Sequence, residues 1–137
     1  MKSLPGPGDL LWVGLGGALG TAVRFSCAMV WPVTEPGSLP LATLAVNIAG
    51  SILIGVFAAL AMRRSIGFGS PGMLFLMVGF CGGLTTFSFV GLESALMIEQ
   101  AQWVPLGKYL GLSLLGWLLG VAGGYRATLL LARSQAR

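Results

Sequence analysis

Apolar residues in this chain come in four long runs, at about 10–31, 40–62, 71–98 and 106–131, parted by short connections. Each run is near the about 20 residues that a helix needs to cross a bilayer. The connections carry the turn chemistry: Pro32 with Glu35-Pro36-Gly37, then Arg63-Arg64 with Gly67-Phe68-Gly69-Ser70, then Glu99-Gln100-Ala101-Gln102 before Pro105. Connections this short make successive helices run antiparallel, as one small bundle with no soluble domain on either face. The pattern predicts an all-α integral membrane protein, with one four-helix transmembrane domain over residues 1–137.

The third run differs from the others. Near its middle stands Gly79-Phe80-Cys81-Gly82-Gly83-Leu84-Thr85-Thr86-Phe87-Ser88. Glycine costs about 1 kcal/mol per residue relative to alanine in a helix. Adjacent glycines followed by two threonines therefore predict a third helix broken mid-membrane. Freed backbone groups find no water in hydrocarbon, so such a break has to be buried in protein or line a wet cavity, a setting that often binds ions. Glycine spacing also predicts close helix approach. Gly16-xxx-Gly20, Gly79-xxx-Gly83, Gly107-xxx-Gly111, Gly116-xxx-Gly120 and Gly120-xxx-Gly124 each place two small residues on one face, for packing inside the bundle or for dimerisation. Four short helices enclose little interior, so a dimer or higher oligomer is the expected functional unit.

Composition agrees with a membrane setting. The chain is 55% hydrophobic and 9% charged, with a mean hydropathy of +0.89, where a soluble domain carries about 25% charged residues. Lys2 before the first run suggests a signal peptide, but that run continues to Trp31 without a small-residue cleavage pattern, and it is read as a retained helix. Cys27 and Cys81 both fall inside apolar runs, which suits neither a disulfide framework nor a metal site. With no histidine and no nucleophile–base pair, enzyme chemistry is not expected. The net charge of +4 comes mainly from terminal and loop Lys and Arg, which speaks to membrane orientation rather than nucleic acid. Lys2, Arg63, Arg64, Arg133 and Arg137 fall on one side and Lys108 on the other, a bias that favours both termini in the cytoplasm.

Few polar residues lie at depth. Arg24 sits two thirds of the way along the first run, where it either snorkels to an interface or offers a fixed positive charge at a wet vestibule. Thr43, Asn47 and Gly50 share a face at i, i+4 and i+7. The Asn47 amide is either interhelical glue or a donor to a passing anion. Glu93 is the one acid clearly within a run, to be protonated or paired, with Arg24 or Arg126 as candidate partners. It is a possible coupling or structural acid. Tyr109 and Ser113 align at i, i+4 in the last run. Together these are hydroxyl, amide and aromatic donors, a set that suits an anion better than a cation.

These residues resemble the small bacterial fluoride channels called Fluc or CrcB. The resemblance runs from about Gly14 to Gly124 and rests on Gly16-Gly17-Ala18-Leu19-Gly20 with Arg24-Phe25, on Thr43-Leu44-Ala45-Val46-Asn47-Ile48-Ala49-Gly50-Ser51, on Gly79 through Ser88 with Glu93, and on Tyr109-xxx-Ser113. It implies a passive fluoride-selective channel of the bacterial cytoplasmic (inner) membrane that lowers cellular fluoride toxicity. It further implies an antiparallel, dual-topology homodimer with two pores near the subunit interface. Carried over, the backbone carbonyls of Gly82 and Thr85 would surround a structural Na+ at the dimer centre. Asn47 and Phe87 would line the fluoride path with Ser88, Thr43, Tyr109 and Ser113, and Arg24 would sit at the vestibule. Many members have a second phenylalanine where this chain has Val90, while Phe89 lies on another face, read as turned to lipid or to a neighbouring helix. The alternatives are a proton-coupled fluoride exchanger or a small multidrug-type exporter using Glu93, although the first run offers only Asp9, at its very start.

Overall fold

A computed structural model of the chain describes residues 5–33 and 37–134. Lys2, Glu35, Pro36 and Arg137, used above for orientation and for the first connection, lie outside the described residues. Among the described residues the chain is all helical. Helix α1 spans Pro7–Val30 and α2 spans Leu41–Arg63. The third run begins as α3, residues 71–84, whose segments Pro71–Met73 and Gly82–Leu84 are α-helical and whose middle, Leu74–Cys81, is wound as π-helix. It resumes as α4, Ser88–Glu99, and the last helix, α5, spans Trp103–Ser134. Four segments are thus long and apolar enough to cross a membrane, the third covering Pro71–Glu99.

The spans begin where local chemistry allows, in two cases a turn earlier than hydropathy alone suggests. Pro7 opens α1, a position whose backbone N–H has no intrahelical partner in any case. The Asp9 carboxylate accepts from the Gly6 amide at 3.0 Å and complements the helix dipole. Similarly, Pro105 falls within the first turn of α5, so the helix starts at Trp103 rather than after the proline.

Glycines set the packing and its register. On α1, a Cβ at Gly16 would meet backbone of Phe75, Gly79 and Phe80, and one at Gly20 would meet backbone of Phe80 and Leu84. From the other side, a Cβ at Gly79 or Gly83 would run into backbone of residues 13–17 of α1. Helices α1 and α3 therefore run parallel in near backbone contact. On α5, Gly116 faces Ile48, Gly120 faces Ser51, and Gly124 faces Ile52, while Gly55 of α2 faces Val121 and Tyr125. The register again rises in the same sense, so α2 and α5 form a second parallel pair, as an up-down-up-down path requires. Gly107 and Gly111 are different, with open space where a Cβ would stand. That pair does no packing inside the chain.

Helix α2 is the central element. Of its most apolar stretch 44% is buried inside the chain, against 11% for α1 and for α5, so the outer faces of those two helices are left for lipid or for another copy. Leu44, Val90, Met97 and Tyr109 form a core cluster between α2, α4 and α5. A cavity lined by Arg63 and Arg64 from the end of α2 and by Thr128, Leu131 and Ala132 of α5 places both helix ends on one side. Lys108 lies near the opposite end of α5.

Candidate functional site

The backbone between α3 and α4 is shaped by one side chain from α2. Helical geometry stops at Leu84, and Thr85 is extended, with φ −79° and ψ 156°. In a continuous helix the Thr86 amide would donate to the Gly82 carbonyl. Here it donates to Asn47 Oδ1 at 2.7 Å, while Asn47 Nδ2 donates back to the Thr86 carbonyl at 2.8 Å. Asn47 is 3% exposed, so this amide clamp is shielded from solvent on the α2 side, where each bond is electrostatically strengthened. One turn further on, the Phe89 amide donates to Thr86 Oγ1 at 3.2 Å instead of to the Thr85 carbonyl. Two carbonyls, those of Gly82 and Thr85, have thereby lost their helical donors. Gly82 is exposed and Thr85 half-buried.

The Gly83 carbonyl is taken up from α1. Arg24 Nε donates to it at 3.1 Å and Thr21 Oγ1 at 3.4 Å. The Arg24 guanidinium also lies over the Phe89 ring, 5.4 Å from its centroid, within the range of a cation–π contact. Arg24 thus reaches the interrupted backbone itself, on the side of a small cavity of ≈ 60 Å³ that it shares with Phe25, Thr43, Thr86 and Phe89. Thr85 holds the last turn of α3 through its own amide and hydroxyl, both donating to the Cys81 carbonyl, at 3.0 and 2.8 Å.

An open groove of ≈ 450 Å³ lies on the other side, lined by Asn47, Ser51, Ile54, Gly82, Thr85, Thr86, Phe87 and Trp117. The Phe87 ring is 77% exposed and meets Trp117 edge to face, with centroids 6.4 Å apart and planes at 62°. Ser88 Oγ pairs with Thr86 Oγ1 at 3.1 Å. The structure therefore gathers Asn47, Gly82, Thr85 and Phe87 around one groove, with Ser88 alongside.

Thr43, Tyr109 and Glu93 make a second cluster, deeper in the bundle. Glu93 accepts from Thr43 Oγ1 at 2.7 Å and, through its other oxygen, from the Tyr109 hydroxyl. The partners of this acid are hydroxyls, in place of the arginines that sequence alone offers, and Arg24 is engaged with Gly83. Tyr109 is fully buried and Ser113, a turn on, is 2% exposed. Val90 is 3% exposed, packed with Leu44, Met97 and Tyr109, and Phe89 stands under Arg24 at 44% exposure. Replacing Tyr109 by phenylalanine, which keeps the ring and removes one donor from Glu93, lowers stability by about 1 kcal/mol, read as a lower unfolding midpoint in detergent. Thr43→Val acts alike, and the two effects are less than additive because both donors serve one carboxyl group.

Sequence reasoning gave no site role to Thr21 or Trp117, and took Gly83 and Thr86 as parts of the helix-breaking string. Thr86 acts through its backbone, which has no residue-type signature, and through a hydroxyl that accepts from the Phe89 amide, and Thr21 and Gly83 meet only through the α1–α3 contact. Trp117 had a usable signal, since it continues the Tyr109, Ser113 series at i+8.

The profile of the family described as CrcB-like protein, Camphor Resistance (CrcB), matches residues 11–125. A protein of Chlorobium luteolum named fluoride-specific ion channel FluC is 39% identical over 122 residues, covering 89% of this chain and 93% of its own length. Proteins of the same name from Chlorobium phaeobacteroides and Methylocella silvestris are 39% identical over 115 residues (83% of this chain, 87% of theirs) and 37% identical over 119 (85% and 90%). With four candidate spans, this is a multi-pass membrane protein. By a match over most of its length, the chain belongs to the CrcB family.

Proposed function

We propose that this protein is a fluoride-selective passive channel of the bacterial cytoplasmic membrane, through which fluoride leaks out of the cell, and not an enzyme. The observation that carries the reading is the groove where Asn47, Thr86 and Phe87 meet an interrupted span, in a chain whose relatives are named for fluoride conduction. Fluoride is small and strongly hydrated, so a path must replace its water with convergent donors. Amide and hydroxyl groups supply them, and an aromatic ring turns a positive edge toward an anion. On this reading Asn47, Phe87 and Ser88 line the path beside the interruption, and Thr43, Tyr109 and Ser113 line its deeper part. Arg24 supplies positive charge at the vestibule.

The same reading takes the chain as one four-helix domain whose third span is broken at mid-membrane. The extended Thr85 and the two diverted amides support it. A structural Na+ fits the chemistry of the site. Gly82 and Thr85 carbonyls without helical donors are hard oxygen ligands of the kind that bind alkali cations, and the cation would offset their dipoles. Two oxygens from one chain are too few, and a second copy facing the first doubles them. An antiparallel homodimer centred on that ion is the assembly this reading takes from the family resemblance.

The test is anion efflux from proteoliposomes with a valinomycin potassium shunt and no pH gradient, followed with fluoride and chloride electrodes. Rapid fluoride release with chloride retained is the expected outcome. Release only under an imposed proton gradient would move the reading to an exchanger and make Glu93 its central group. Retention of both anions by dimeric protein would end the channel reading.

A further inference from the structure

Among the described residues, three buried side-chain polar atoms have no hydrogen-bond partner: Ser94 Oγ, Ser113 Oγ and Trp117 Nε1. The second and third lie one helical turn apart on α5. An indole N–H can only donate, and a buried one normally finds an acceptor. Trp117 has none in the chain, yet its ring lines the groove beside Asn47, Thr86 and Phe87 and touches the Phe87 ring edge to face. Trp12, Trp31 and Trp103 stand instead at 42%, 51% and 62% exposure and line no part of this groove.

The neighbouring groups are engaged to different degrees. Asn47 gives one amide N–H and its oxygen to Thr86 and keeps a second N–H, the Ser51 hydroxyl donates to the Asn47 carbonyl, and the Tyr109 hydroxyl donates to Glu93. The Trp117 N–H and the Ser113 hydroxyl, one turn apart on α5, are buried donors with no acceptor at all. A small anion that only accepts, and that lies against the positive edge of an aromatic ring, is the partner that an indole N–H at this groove calls for.

We infer that the Trp117 indole N–H is a fluoride-binding donor, a specificity-determining contact between the Phe87 groove and Ser113. This deepens the channel reading above and rests on it.

The experiment is a fluoride titration of the full-length protein, labelled with 15N on its four tryptophans, at constant ionic strength with chloride as the control. The Trp117 resonance is assigned by its loss in Trp117→Phe. Fluoride is expected to shift that indole N–H saturably while chloride leaves it in place. Trp117→Phe is expected to slow fluoride efflux by about tenfold or more, the loss of a hydrogen bond made to a charged species. A Trp117 resonance unmoved by fluoride, in protein that conducts it, overturns the assignment and leaves the channel reading standing. So does efflux through Trp117→Phe that matches wild type. Wild-type vesicles that hold fluoride, with the Trp117 resonance also unmoved, sink both readings. The titration uses wild-type protein, so it stands even where the variant fails to fold.

Discussion

Substitution of Asn47 by leucine is expected to abolish fluoride efflux and to cost the protein several kcal/mol. The two side chains are nearly isosteric, so little packing is lost. What is lost is the pair of bonds at 2.7 and 2.8 Å that hold the Thr86 amide and carbonyl. Each buried backbone group left without a partner costs about 1–3 kcal/mol, hence about 2–6 kcal/mol for both. The Thr86 amide then has one obvious refuge, the Gly82 carbonyl one turn back, and in taking it would rewind α3 and close the carbonyl array beside the groove. The measurement pairs proteoliposome efflux with thermal unfolding followed by size-exclusion chromatography. Leucine at position 47 with wild-type efflux and an unchanged midpoint would show that Asn47 does not maintain the interruption.

Gly20→Ala should be nearly as damaging to stability, by a different mechanism. A Cβ there would stand against the Phe80 carbonyl and 2.8 Å from the Leu84 amide nitrogen, so relief requires moving a helix rather than a side chain. Overpacking costs about 1–3 kcal/mol, occasionally more, and a backbone neighbour places this site at the upper end. Gly83→Ala belongs to the same class, since its Cβ would meet backbone of Gly17. The comparison is Gly14→Ala, on the same helix, with open space around the added methyl. There alanine's helix propensity gives up to about 1 kcal/mol of stabilisation. Unfolding midpoints of the three variants decide the matter, and equal effects at Gly14 and Gly20 would mean that α1 and α3 do not approach as described.

Glycine spacing illustrates how far the one-dimensional pattern reaches. Five Gly-xxx-Gly pairs look alike along the chain, yet four of them meet another helix and Gly107-xxx-Gly111 meets nothing. Spacing states that a face is small, and only the neighbour states whether smallness is used. Glu93 makes the same point for charge. Composition shows an acid in an apolar run and offers arginines as partners, while the bundle brings Thr43 and Tyr109 to it from 50 and 16 residues away. Asn47 was legible as a buried amide in need of partners. Both of its readings, glue and donor, concern the same atoms, and the fold shows those atoms bound to Thr86.

Hydropathy and turn residues alone sufficed for the helical class and the number of candidate spans. Length and apolarity are local properties, and a bilayer-sized helix satisfies its own backbone. The Gly82-Gly83-Leu84-Thr85-Thr86-Phe87 string reads from sequence as a place of weak helix, and the extended Thr85 lies within it. The pairing of α1 with α3 and of α2 with α5 came only with the tertiary structure. So did the diversion of the Thr86 and Phe89 amides, the engagement of Gly83 by Arg24, and the unpartnered Trp117 N–H beside Phe87. Each depends on atoms tens of residues apart meeting within about 3 Å, the reach of a hydrogen bond, and no pattern along one chain encodes which donor will find which acceptor.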